Sequence, residues 1–72
     1  MMLKYFTNAH EGNASQSLAI NPRFVVTVFE TILTDQETNT ITEVTAIYVA
    51  SGIVYHVTDT YLDVVARLNE RD

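Results

Sequence analysis

The chain contains no cysteine, so neither a disulfide nor a thiolate zinc site can reinforce its core. Basic side chains are almost as scarce: Lys4, Arg23, Arg67 and Arg71 stand against nine acidic residues, for a formal charge of −5. Affinity for a phosphate backbone comes largely from counterions displaced by Lys and Arg. These four are dispersed along the chain, which disfavours nucleic acid as a partner. No apolar run approaches the roughly 20 residues that cross a bilayer as a helix, so no membrane span is expected. Met1-Met2-Leu3-Lys4 also lacks the basic start and apolar segment of a secretory leader, and a cytoplasmic location is the expectation. A glycine-rich phosphate loop, a Gly-x-Ser-x-Gly elbow and a cysteine nucleophile are all missing. The expectation is therefore a protein that is not an enzyme, with no catalytic residues and no cofactor.

What the chain does have is β-branched and aromatic residues in short runs, divided by few but well-placed breakers. Its 72 residues allow one domain, 1–72, and a chain of this size buries only about 60% of the surface it exposes when unfolded. Residues 3–7 read as a first strand. Residues 8–17, rich in Asn, Ser and Ala, read as a loop with Gly12-Asn13 at its turn. A second strand at 18–20 runs into Asn21-Pro22-Arg23, where the only proline removes a donor and fixes its own φ, so the chain should bend there or lie at a sheet edge. Residues 24–33 form a long strand with Phe24, Val26, Val28 and Ile32 on one face and Val25, Phe29 and Leu33 on the other. The polar segment 35–39 closes a hairpin to a strand at 40–51, with Val44, Ala46 and Tyr48 on one face and Ile47 and Val49 on the other. Ser51-Gly52 is a tight turn. The last strand, 53–58, alternates Ile53, Tyr55 and Val57 against Val54, His56 and Thr58.

A helix over 60–70 follows. Thr60 is its N-cap, Asp59 and Asp63 bring negative charge to its positive start, and Arg67 and Arg71 lie toward its negative end. Tyr61, Val64, Val65 and Leu68 recur at the spacing of one helical face, with Asp63, Arg67 and Glu70 pointing away. Because the polar face has mixed charge, the helix should dock on the sheet, with Tyr61, Val65 and Leu68 against Phe24, Val28 and Tyr55, instead of lying on a membrane. The fold class expected is mainly β (α+β): a strongly bent antiparallel sheet, or a small barrel, of four or five strands with one C-terminal helix.

Individual chemical motifs are sparse. His10-Glu11 supplies two ligands where zinc requires three or four. His56 beside Asp59 has the residue types of an acid–base pair but no nucleophile motif to serve. Asp35-Gln-Glu-Thr-Asn opens like a calcium loop, yet Thr40 stands where glycine is required and Ala46 where the bidentate acid belongs. Asn13-Ala-Ser fits the glycosylation pattern without a secretory signal to make it relevant. No metal site is expected. Tyr5, Phe6, Tyr48 and Tyr55 could stack on single-stranded bases, but without basic neighbours they are better assigned to core and subunit interface.

Leu18-x-Ile20-Asn21-Pro22-x-x-Val25-x-x-Val28, followed by Gly52-x-x-Tyr55-x-Val57-x-Asp59-Thr60-x-x-Asp63-Val64, resembles the short FlbD/SwrD-type proteins found with flagellar and swarming genes. The chain differs from that pattern in a longer loop at 8–17, longer strands around 35–39 and the lack of a basic C-terminal tail. The resemblance implies a non-catalytic accessory protein that acts through protein–protein contacts. A homo-oligomer, most simply a twofold dimer, is expected because both faces of the long strands carry apolar groups and one helix can cover only one face. The alternative is an Sm-like or SH3-like small β-barrel that binds RNA as an oligomeric ring.

Overall fold

A computed structural model of the protein describes residues 3–9 and 16–70. Strands β1 (Lys4–Thr7) and β2 (Ser17–Ile20) form an antiparallel pair. After a 3-10 turn (Pro22–Phe24), β3 (Val25–Asp35), β4 (Thr40–Val49) and β5 (Val54–Val57) form a three-stranded antiparallel meander. Helix α1 (Tyr61–Leu68) is the last described element. The fold is thus mainly β, five strands in two antiparallel sheets with one C-terminal helix. The two sheets do not close into a barrel. Asn8 bridges Val57, the Ala9 N–H donates to His56 O at 2.8 Å and the Thr58 N–H donates to Thr7 O at 2.9 Å. The end of β1 is thereby stitched to β5, and α1 packs across the open side against β1, β3 and β4.

Each reversal has a local cause. The Asn21 side chain accepts from the Arg23 N–H at 3.0 Å, and Pro22 supplies a preset φ at the first position of the 3-10 turn. Between β3 and β4, the Asp35 carboxylate accepts from the Glu37 N–H at 3.0 Å and Asn39 adopts a left-handed φ of 58°, the conformation Asn tolerates best among residues with a Cβ. Between β4 and β5, the Gly52 N–H donates to Val49 O and Gly52 has a φ of +93°, where a side chain would be strained. At α1 the Thr60 hydroxyl accepts from the Asp63 N–H at 3.2 Å, and Asn69, not residue 70, is the C-cap. The Gly12-Asn13 turn lies outside the described residues.

The core lies between the inner face of the meander, the β1–β2 pair and the helix. Phe6, Ile20, Ile47, Val49, Val57 and Val64 are buried there, with Leu18, Val25, Val28, Tyr55 and Leu68 packed around them. The alternation expected for β4 and β5 holds. That expected for β3 holds from Thr27 on, with Val28 and Ile32 on one face and Phe29 and Leu33 on the other, but fails before it: the β3–β4 register shifts between Val25 and Thr27. Val25 pairs with Val49 and Val28 with Ile47, so the extra residue, Val26, is squeezed out of the alternation and stands 61% exposed. Phe24, read as part of the strand, belongs to the 3-10 turn and is 60% exposed. It is not a platform for the helix. Tyr61 is also 37% exposed, because the first turn of α1 overhangs the core and Val64, one turn on, is the residue fully enclosed.

Ten residue pairs join β3 to β4, which at about 3.4 Å per residue makes a ribbon of roughly 35 Å. This accounts for most of the molecule's 41 Å length. The end of the ribbon projects past the helix, and Ile32 and Ile41 are exposed there. The expected consequence of this division is sharp. Ile47→Ala, at a site with no solvent exposure, should cost about 2–5 kcal/mol, whereas Leu62→Ala on the outer side of α1 should change stability by less than about 0.5 kcal/mol. Urea midpoints of the two variants check this.

Candidate interaction surface

Asp59, paired with His56 on sequence grounds, is committed elsewhere. One carboxylate oxygen accepts the Thr7 N–H at 2.7 Å and the other accepts Arg67 Nη1 at 2.9 Å. Its backbone carbonyl accepts the Thr45 hydroxyl at 2.8 Å. Arg67 does not point away into solvent as the helical wheel suggests. Its Nη1 also donates to Tyr5 O at 2.9 Å, and the guanidinium lies 5.6 Å from the centre of the Phe6 ring, within cation–π range. The Asp59 carboxylate therefore ties β1 to α1, and the residue's backbone carbonyl adds β4. The spacing Asp59 to Arg67 carries no motif, so the cluster could be found only once the helix had brought its last turn back over β1.

His56 sits half-buried on β5, and with Asp59 already bonded to Thr7 and Arg67 the residues of an acid–base pair are present without its geometry. His10, Glu11 and Asn13 lie outside the described residues. Glu30, Glu43 and Asp59 border a small cavity of about 130 Å³ at the start of the helix. Among the described residues no group of three His, Asp or Glu is placed to hold a metal ion. The four aromatics do not form one stacking platform either. Phe6 is buried, Tyr5 points the opposite way and is 62% exposed, and Tyr48 and Tyr55 occupy opposite faces of the sheet.

Two surface features remain. The first is a cleft of about 560 Å³ between β2 and the β4–β5 turn, lined mainly by Leu18, Ile20, Phe24, Val49 and Tyr55. The second is the β3–β4 ribbon. Among the described strands, β3 pairs with β4 alone, which leaves its other side as an eleven-residue free edge, Val25–Asp35. Glu30 and Asp35 are its only charges, where free edges ordinarily carry Lys, Pro or a very short strand to block pairing. On the sheet face away from the helix, Phe29, Tyr48 and Val54 are exposed beside the buried Val44 and Ala46. No described helix is long and apolar enough to cross a membrane.

Asp59→Ala should destabilise the protein by about 2–4 kcal/mol, since it strands the Thr7 N–H and the Arg67 guanidinium together. Asp59→Asn keeps an acceptor for Thr7 and should lose less than half of that, which chemical denaturation of the pair would reveal. Compared with known proteins, the chain matches no family model, no curated protein and no solved structure.

Proposed function

We propose that this is a non-catalytic accessory protein that works through protein–protein contacts as a homo-oligomer, in a cytoplasmic setting. The observation that carries the reading is the long, sparsely charged β3 edge with exposed apolar side chains beside it. An edge of this kind offers backbone donors and acceptors for strand addition. Among the described residues the chemistry that other readings need is not assembled: Asp59 is held by Thr7 and Arg67, and the exposed aromatics are scattered over different faces. The resemblance to FlbD/SwrD-type proteins supports the same accessory role. The net charge of −5 argues against the RNA-binding ring, whose affinity would have to come from cations on its surface.

Light scattering across a dilution series tests the proposal. A mass of at least twice the 8.1 kDa of one chain is expected, and a mass near one chain at every concentration would sink it. A titration of single-stranded RNA at low salt should give no saturable binding. A micromolar complex there would instead favour the ring-forming RNA binder.

A further inference from the structure

Backbone geometry specifies how the β3 edge can be used. The Val49 N–H donates to Ile53 O in β5, so at residue 49 the polar backbone groups of β4 point toward β5. Because these groups alternate side along a strand, odd positions of β4 face β5 and even positions face β3. The even positions 42, 44, 46 and 48 lie opposite Leu33, Thr31, Phe29 and Thr27. Those β3 residues therefore spend their N–H and C=O groups on β4. The bond from the Ala50 N–H to Phe24 O agrees with this phase at the other end of the pair. Val28, Glu30, Ile32 and Thr34 are left with their N–H and C=O groups directed out of the sheet.

We infer that two copies of this chain join through antiparallel β3–β3 pairing with the twofold axis at Thr31, making one six-stranded sheet. This deepens the proposed homo-oligomer and rests on it. A symmetric antiparallel pair has a constant sum of partner positions, and only one register sets all four outward residues of each chain opposite outward residues of the other. It is the register centred on Thr31, in which Val28 meets Thr34 and Glu30 meets Ile32, each pair twice, for eight hydrogen bonds. Centring on Glu30 would put that carboxylate directly opposite itself, a destabilising like-charge pair, and would draw the bulged Val26 into the ladder. Centring on Ile32 would run Val28 into the turn at residue 36.

Side chains favour the same register. On the face away from the helix, Thr31 meets its own copy and Phe29 meets Leu33 of the second chain. These are a Thr–Thr pair and an aromatic–aliphatic pair of the kinds that stabilise sheets. The exposed faces bearing Phe29, Tyr48 and Val54 in the two chains become one continuous apolar surface, since a twofold axis normal to the sheet keeps like faces together. On the helix side, Ile32 of each chain stands beside Glu30 of the other.

Two experiments test the register separately from the oligomer. The chain has no cysteine, so T31C introduces a single thiol whose copy would lie about 4.5 Å away between Cα atoms in a non-hydrogen-bonded pair, within reach of a disulfide. T27C lies on the same face, but its copy would be eight positions along the partner strand, roughly 27 Å away. Mild oxidation should convert T31C to the covalent dimer at least tenfold faster than T27C. Equal rates, or T27C faster, would overturn the register while leaving a dimer in place. In sedimentation equilibrium, I32E puts a second carboxylate opposite Glu30 and should raise the dimer Kd at least tenfold, whereas I32K puts an ammonium there and should bind no more weakly than the parent. Any interface that merely buries Ile32 would weaken in both variants, and that result would also overturn the pairing. A parent chain that stays monomeric at 100 μM, by contrast, defeats the homo-oligomer itself.

Discussion

The arrangement depends on where the Asp59 carboxylate is spent. It stands at the junction between the last strand and the helix, 10% exposed at its side chain; its two oxygens take donors from Thr7 and Arg67, and the residue's backbone carbonyl takes the Thr45 hydroxyl. Those donors come from β1, β4 and α1, elements far apart in sequence. A partly buried carboxylate must be met by donors or it penalises the fold, so ordering Asp59 orders all three at once. Arg67 extends the constraint, because its guanidinium covers the Phe6 ring and satisfies Tyr5 O. Lys4 adds a weaker tie to Glu70 at 3.7 Å, with the lysine enclosed and the glutamate in solvent, so screening leaves that contact modest.

Holding the helix over the inner face has a cost elsewhere. Eight helical residues cover the broad end of the meander, where Ile47, Val57 and Val64 meet, and no described helix reaches the projecting end of the β3–β4 ribbon. Ile32 and Ile41 therefore stand open on the helix side. The core is small and fully enclosed, while the apolar ribbon beyond it is not. In a monomer such an arrangement is an aggregation hazard, which the proposed pairing of the β3 edge would relieve by satisfying its open ladder.

Function-bearing residue types in this chain divide in the same way. Glu30 and Glu43 approach Asp59 around the small cavity at the helix start, but the carboxylate nearest the core is already bonded. The cleft lined by Leu18, Phe24 and Tyr55 is apolar, with Asn21 and Ser51 as its polar members. Recognition through backbone edges and apolar faces needs neither a titrating side chain nor a cation. It suits a chain with nine carboxylates and four basic groups, provided that the partner does not oppose those carboxylates with its own.

The sequence by itself determined the local elements. Strand alternation in β4 and β5, the Asn21-Pro22 bend, the Gly52 turn and the Thr60 cap are set by neighbours within a few residues, so the chain order of five strands and a final helix was legible. The same local rules overextended wherever a distant contact intervened. The bulge at Val26 shifted the faces of β3 because Val25 and Val28 both had to meet the buried wall of Val49 and Ile47. Phe24 was drawn into a turn by its bond to Asn21. Arg67 reads as a solvent-facing charge on any helical wheel, and only the return of α1 across β1 gave it Asp59 and Tyr5. Which edge stayed free was likewise decided in three dimensions: β1 met β5 through Asn8 and Val57, and β3 was left without a second neighbour among the described strands. Hydrogen-bond partners separated by tens of residues leave no periodicity in the chain, and so they become visible only when packing brings them together.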